Sequence, residues 1–189
     1  MASHSVAHAG PRYSRLAINR LGLWLFLTSE CFLFGVLLAT RYYLQGVFRP
    51  PEVNQVLGLV ITIVLLLSSL SAYRAEMAAA HGDQKGFARN ILATIALGGL
   101  FLVGVALEWK AAFADFPPGS GYGTLFFTTT GIHAFHVVTG LVALAVAYNL
   151  GRDGRFAKGS SWGVEGTAKY WHFVDVAWVF IYPTLYLVN

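Results

Sequence analysis

Two ionisable side chains lie one helical turn apart in an apolar stretch near the end of the chain. Residues 170–187 read Tyr-Trp-His-Phe-Val-Asp-Val-Ala-Trp-Val-Phe-Ile-Tyr-Pro-Thr-Leu-Tyr-Leu, long and apolar enough for a membrane-spanning helix. His172 and Asp175 are side chains that lipid would reject. Helical spacing places Trp171, Asp175 and Trp178 on one stripe, with His172 beside Asp175. We therefore expect this face to dock on protein.

Three further ionisable groups are predicted deep in the membrane. Glu30 lies about 15 Å into its span, near the bilayer midplane. It is either a proton-handling or subunit-contact group, or a neutral acid that fixes helix packing, and the cost of burial favours a specific role. His133 and His136 share one helix face, flanked by Gly131 and Gly140, which allow close helix approach. Interhelical hydrogen bonding is their favoured interpretation.

Haem or metal ligation by these histidines finds little support in the sequence. His136 is predicted about 20 Å from the face at which His172 begins the last span, so the two cannot be trans-axial haem ligands. His133 projects from the same face as His136. Zinc or copper binding by His133, His136 and Glu30 is geometrically possible, but only their shared depth suggests it.

The chain shows no other redox or catalytic motif. The single Cys31 excludes a disulfide framework and a cysteine zinc site within one chain, and we expect it to be a small buried hydrophobe. There is no P-loop, nucleophile elbow or cysteine pair. We expect no catalytic centre, metal or cofactor in this chain.

Composition indicates an integral membrane protein. Hydrophobic residues make up 56% of the 189, charged residues only 12%, and the mean hydropathy is +0.58, whereas a soluble domain has roughly 25% charged residues. The net charge is +4, and the basic residues are scattered along the chain without a Lys/Arg run, which argues against nucleic-acid binding.

The predicted fold is all-α, with a tail at 1–20 and a five-helix transmembrane bundle at 21–189. Arg41, near the end of the first span, is expected to snorkel toward the interface. The predicted spans are about 21–44, 53–73, 90–107, 124–150 and 170–188.

The basic residues predict the orientation. Ten of the thirteen Lys and Arg residues lie in the N-terminal tail, the loop after the second span and the loop after the fourth. By the positive-inside rule, the N-terminus is cytoplasmic and the C-terminus outside, as five spans require.

The residues that carry this chemistry also carry a family resemblance. The segment Tyr170–Trp178 resembles the Tyr-Trp-His-Phe-Val-Asp signature of subunit III of haem-copper cytochrome c oxidases, and Thr130–Val137 resembles the family's Thr-Gly-Phe-His-x-x-His-Val run. Further matches follow the family's order along residues 21–189: Thr28-Ser29-Glu30, Gly82-Asp83 before Lys85-Gly86, Glu108, Gly121-Tyr122-Gly123 and Glu165. Glu30 resembles the family's membrane-buried, carbodiimide-reactive glutamate.

The sequence departs from the family in two respects. Long subunit III chains have seven helices, and this chain has the equivalent of the last five, so it resembles the short bacterial form and lacks the lipid cleft of the long form. Many relatives also carry paired histidines at the end of the second span, where this chain has Glu76 and Met77.

The resemblance implies an accessory role in the inner membrane of a bacterial cell. In the family, subunit III binds no haem or copper, which belong to subunits I and II. It packs on subunit I among the other subunits and phospholipids, supports proton uptake at the cytoplasmic mouth of the proton pathway, and slows turnover-linked inactivation. Buried polar residues are then expected at subunit contacts or in proton handling: Glu30, His133, His136, Trp171, His172 and Asp175. On the cytoplasmic surface we expect His81, Asp83 and Glu165, and at the outer helix end Glu108.

Three alternatives stay open at this point. Subunit III of a quinol oxidase, or the subunit III-like protein that accompanies nitric oxide reductases, would share the helices and motifs. An independent proton or solute carrier would use Glu30, His133 and His136, although the broken helix pairs of carriers are missing. A purely structural lipid-binding scaffold would affect assembly alone.

Overall fold

The computed structural model describes residues 13–152 and 162–188. Within these ranges all regular secondary structure is helical, as predicted, with five α-helices and a short π-helical segment, Pro183–Leu187, that continues the last of them. The helices are α1 Arg15–Gln45, α2 Gln55–Ala80, α3 Gln84–Asp115, α4 Gly121–Arg152 and α5 Trp162–Tyr182.

Four helices, α1 to α4, are long and apolar enough to cross a membrane. Each of the five helices overlaps one predicted span and begins or ends beyond it. The membrane crossing of α5 and the orientation of the termini stay predictions.

The first helix begins earlier than predicted. The Ser14 hydroxyl accepts a hydrogen bond from the Ala17 amide at 3.1 Å, so the helix is capped inside the segment assigned to the tail. The rest of that tail, residues 1–12, and the loop 153–161 lie outside the described residues, and with them Arg12, Arg155 and Lys158 of the charge count.

The bundle is built around α5, which packs against both α2 and α4, while α3 packs against α2 and α4. Fully buried apolar side chains fill the centre, among them Leu65, Phe101, Phe126 and Ile181. In contrast, α1 lies at the edge against α4 and α5. Its buried residues are only Leu27, Phe34 and Arg41, a heptad spacing that gives a narrow contact stripe.

The narrow stripe overturns one expectation from the sequence. Cys31 lies off the stripe and is exposed on the surface of the bundle, so its predicted burial within this chain was wrong. An apolar run in a membrane helix does not distinguish lipid-facing from core-facing positions, because both are apolar.

Arg41 is fully buried instead of snorkelling to the interface. Its guanidinium donates to the carbonyl oxygens of Gly46 and Phe48 at 2.6 and 2.5 Å and lies 5.5 Å from the centre of the Tyr122 ring. The chain can turn back over Arg41 because Gly46 adopts a positive φ of 58°. Arg41 therefore fixes the loop that follows α1.

The indole of Trp171 fits between two helices because both carry glycine at the contact. A Cβ atom on Gly98 of α3 would lie 2.5 Å from Trp171 Cη2, and one on Gly140 of α4 would lie 2.8 Å from its Cε3. Trp171 is fully buried and cannot move aside. These two glycines thus set the distance at which α3 and α4 meet α5.

A matched pair of substitutions tests this contact. Gly98→Ala should destabilise the bundle by about 1–3 kcal/mol, because the added methyl overpacks a filled site. Gly99→Ala, one residue away, should be neutral or slightly stabilising, since a Cβ there meets nothing within 4 Å and alanine favours a helix over glycine. Denaturant unfolding in detergent measures both, and equal effects of the two would contradict this packing.

Candidate functional site

The polar face of α5 docks on hydroxyl groups of α2. The indole N–H of Trp171 donates to Ser68 Oγ at 3.0 Å, and that of Trp178 donates to Thr62 Oγ1 at 2.8 Å. Both tryptophans are fully buried. The docking expected from the stripe is therefore found, and its partner is a helix of the same chain.

His172 contacts α2 at Ser69, and Asp175 is buried one turn further along α5. The Ser69 hydroxyl lies 2.7 Å from Nδ1 of the half-buried His172. Asp175 is only 2% exposed, and within the described residues neither of its oxygens has a hydrogen-bond partner. The imidazole thus has a hydroxyl partner on α2, whereas the buried carboxyl beside it has none within the described residues.

Glu30 and His136 form a pair that joins α1 to α4. His136 Nε2 lies 3.0 Å from Glu30 Oε2, and His136 Nδ1 lies 2.8 Å from the carbonyl oxygen of Ile132. Because a carbonyl oxygen only accepts, this geometry assigns the Nδ1 hydrogen to the ring. The remaining proton is then shared between Nε2 and the carboxyl, as an ion pair or as a neutral hydrogen bond.

His133 points away from that pair, toward α5. It is fully buried, its Nε2 donates to the Val174 carbonyl oxygen at 3.1 Å, and its ring lies 4.9 Å from that of Trp178. Among the described residues, Nδ1 has no hydrogen-bond partner. His133 and His136 are three residues apart, and three residues turn a helix by about 60° less than a full turn. Their side chains therefore point in different directions and contact different helices.

In the part of the chain that the structure describes, no three His, Cys, Asp or Glu side chains come close enough to hold a metal ion. Of the three groups considered for zinc or copper, Glu30 and His136 are paired and His133 is directed elsewhere.

Glu108 takes part in a second buried network, at the other end of the bundle. Its Oε2 accepts a hydrogen bond of 2.6 Å from the hydroxyl of the fully buried Tyr186. Tyr122 donates to the Leu185 carbonyl oxygen at 2.6 Å, and Gln55 donates to that of Tyr186 at 3.0 Å. These contacts fasten the π-helical segment to α2, α3 and α4.

The sequence reasoning missed the acceptors on α2 and the tyrosines near Glu108. A usable signal was present in the second span, which carries no charge but does carry hydroxyl residues at helical spacing: Thr62, Ser68, Ser69 and Ser71.

Charged residues on the basic side, the end at which α1 begins and α2 ends, tie three helices together. The guanidinium of Arg20 donates to both carboxylate oxygens of Glu165, at 3.1 and 3.0 Å. Lys169 donates to Glu165 at 2.6 Å and lies 3.9 Å from Glu76. Hydrogen bonds from Arg20 and then Lys169 hold the pKa of Glu165 below its ordinary value.

The other two residues predicted for this surface sit at the turn between α2 and α3. His81 Nδ1 donates to the Met77 carbonyl oxygen at 2.7 Å, and Asp83 caps α3 by accepting from the Gly86 amide at 2.9 Å. Neither joins Glu165, so the structure places the three residues on one side without bringing them into one cluster.

Comparison with known proteins identifies one family. The family model described as cytochrome c oxidase subunit III matches residues 13–189. Among similar proteins, cytochrome c oxidase subunit 3 of Corynebacterium diphtheriae is 34% identical over 188 residues, 92% of each chain. The probable cytochrome c oxidase subunit 3 of Nocardia farcinica is 29% identical over 89% of this chain and 87% of its own. Cytochrome c oxidase subunit 3 of Dasypus novemcinctus is 34% identical over 88% of this chain and 68% of its own.

Substitutions at Thr62 test the docking of α5 on α2. Thr62→Val keeps the shape but leaves the Trp178 N–H without an acceptor, and should cost about 0.6–1.7 kcal/mol, as for hydrogen bonds between membrane helices. Thr62→Ser keeps the hydroxyl and should retain the hydrogen bond. Unfolding in mixed micelles provides the measurement; a valine variant as stable as the serine variant would show that this hydrogen bond contributes nothing.

The Arg20–Glu165 contact should have a defined pH and salt dependence. A lowered pKa in the folded state means that Glu165 stabilises the protein above its unfolded pKa of about 4.3, and that this contribution is lost as the pH falls through the folded pKa. Arg20→Gln should therefore lower the thermal midpoint at neutral pH and have little effect in strong acid.

High salt should also reduce the effect, because the Arg20 side chain is 50% exposed. Arg20→Lys keeps the charge and serves as the control. An Arg20→Gln effect that grew upon acidification would contradict this account.

Proposed function

The chain belongs to the family of cytochrome c oxidase subunit III, and we propose that, as an accessory subunit of a haem-copper oxidase, it supports the stability of subunit I and the uptake of protons. Haem and copper reside in partner subunits I and II, and this chain contributes no catalytic group or metal ligand. Its contacts are with subunit I first, then subunit II and the other subunits of the complex.

The observation that carries this proposal is the His172–Ser69 contact of 2.7 Å beside the buried carboxyl of Asp175. His172 is half-buried on the basic side, and an imidazole is a side chain that can take up and release a proton. The serine hydroxyl joins that imidazole to α2. This arrangement suits a group that supplies protons to a neighbouring pathway.

The basic side is proposed to be cytoplasmic. Arg20, Lys169 and the α2–α3 turn lie there, as the positive-inside rule favours. In this orientation α5 crosses the membrane, the C-terminus lies outside, and the protein is a multi-pass component of a bacterial inner membrane. Similarity along nearly the full length of two bacterial proteins supports that location.

The other buried groups are proposed to divide into contact and packing roles. Glu30 keeps 17% of its side chain exposed beside His136, so this pair can meet a partner or exchange a proton. Trp171 and His133 are enclosed by the bundle and hold helices together. Glu108 fastens the outer end through Tyr186. The surface residues His81, Asp83 and Glu165 face the side at which protons are taken up.

Variants in the assembled oxidase test the proton role. His172→Ala and Asp175→Asn should slow proton uptake during turnover and shorten the active lifetime of the enzyme, because the first removes the imidazole that contacts Ser69 and the second replaces the buried carboxyl beside it. The measurement is proton uptake and oxygen consumption with the oxidase in vesicles, together with the number of turnovers before inactivation.

Thr167→Ala is the matched control, because Thr167 is only partly buried on the same helix and, among the described residues, its hydroxyl donates to the Gly163 carbonyl oxygen within that helix. Unchanged uptake and unchanged assembly in both His172→Ala and Asp175→Asn would remove these residues from the proposed site.

A further inference from the structure

Glu76, a position at which this sequence departs from the family, has a charged partner on α5. Its carboxylate lies 3.9 Å from the Lys169 ammonium, and its side chain is 26% exposed. Burial raises the pKa of the Glu76 carboxyl and the Lys169 ammonium lowers it, so each of the two charges stabilises the other. The ion pair therefore joins the end of α2 to the start of α5 on the basic side.

The helical register aligns this ion pair with the contact of His172. On α2, Ser69 and Glu76 are seven residues apart, which is two turns along one face. On α5, Lys169 and His172 are three residues apart and line one cavity. The two helices thus meet at both levels, with 2.7 Å between Ser69 and His172 and 3.9 Å between Glu76 and Lys169. The imidazole has the ammonium as its neighbour one turn away on the same helix.

The charges of the network around Lys169 balance. Arg20 and Lys169 are its positive members, and Glu165 and Glu76 are its negative members. Arg20 and Lys169 share Glu165, so that carboxylate balances one of the two positive charges and Glu76 balances the other. Without the Glu76 carboxylate, two cations would face one anion, and the network would carry one unbalanced positive charge beside His172.

The other surroundings of His172 add no further charge to this balance among the described residues, where the charge that acts on the imidazole is that of Lys169. On α5 the next ionisable side chain is Asp175, which is buried one turn further inside. On α1 the titratable side chain in the cavity wall is the Cys31 thiol. On α4, His133 contacts Val174, which is two residues from His172 and so lies on the opposite side of α5.

We propose that Glu76 is a positioning residue for proton uptake: it holds the Lys169 ammonium and balances its charge, so that His172 can take up a proton beside it. Two like charges one helical turn apart repel, so an unbalanced ammonium opposes the positive form of the imidazole. The inference rests on the proposed function, because it concerns the same histidine. Glu76 sets how readily His172 holds a proton and does not itself transfer it.

The pH dependence of proton uptake by the assembled oxidase in vesicles tests the proposal. Uptake through His172 should fall as the pH rises, because fewer imidazoles then hold a proton to pass on. Glu76→Gln should move the midpoint of this fall to lower pH by roughly 0.3–0.5 pH unit, the scale of a partly exposed charge contact. High salt should reduce the displacement, because it screens the unbalanced ammonium.

Further variants separate charge from packing. Glu76→Asp keeps the carboxylate and should displace the midpoint less than Glu76→Gln. Glu52→Gln removes an exposed carboxylate at the opposite end of the bundle and should leave the midpoint unchanged. Glu76→Gln combined with Lys169→Gln removes both charges of the pair and should return the midpoint toward the wild-type value. Lys169→Gln alone keeps Glu76 and should have a higher midpoint than this double variant, a comparison that does not need the single Glu76→Gln variant to assemble.

Three outcomes would overturn the inference, and they can be told apart. A Glu76→Gln midpoint equal to that of the wild type, in an oxidase whose uptake still depends on His172, would reject the role of Glu76 and keep the proposed function. A midpoint displaced equally in Glu76→Gln and the double variant would assign the effect to packing. A wild-type profile in His172→Ala would reject the proposed function and this inference with it.

Discussion

Hydrocarbon offers no hydrogen-bond partner, so a polar group in a membrane helix is costly unless protein supplies one. The two indole N–H groups of α5 meet this requirement on α2, at Ser68 and Thr62. An indole can reach a serine hydroxyl only if the helices lie close, and the missing side chains of Gly98 and Gly140 allow that approach at Trp171. Hydrogen bonding to α2 and close packing against the glycines of α3 and α4 thus favour the same position of α5.

The edge helix α1 follows a different rule. Its buried apolar contribution is limited to Leu27 and Phe34, so polar contacts fix its position to a greater extent. Arg20 holds its basic end to Glu165 on α5, and Glu30 holds its middle to His136 on α4. A helix tied at two points along its length and packed on a narrow stripe leaves unfilled space beside it, and Cys31 of α1 and Phe173 of α5 line that space.

Sequence periodicity predicted which faces carry polar residues, and hydropathy predicted five helices, because both properties are local. Neither periodicity nor hydropathy could identify the neighbouring helix that each face contacts. His133 and His136 share a face in sequence terms, yet one contacts α5 and the other α1. Cys31 is exposed and Arg41 is buried, the reverse of expectation, because lipid-facing and core positions are equally apolar and a loop beyond the helix supplies the partners of Arg41. The roles of the site residues stay predictions.

The Ser69 contact accounts for only one of the two ionisable groups on the polar face of α5. In the contact of 2.7 Å, either the Ser69 hydroxyl donates to Nδ1 of His172, or Nδ1 carries the hydrogen and the hydroxyl accepts it. The Asp175 carboxyl is equally part of that face, yet neither of its oxygens has a hydrogen-bond partner among the described residues, and such burial is costly for an unpaired carboxylate. Two residues that one stripe of the sequence groups together therefore differ in the structure, because the bundle supplies a hydroxyl to the imidazole and none to the carboxyl one helical turn away.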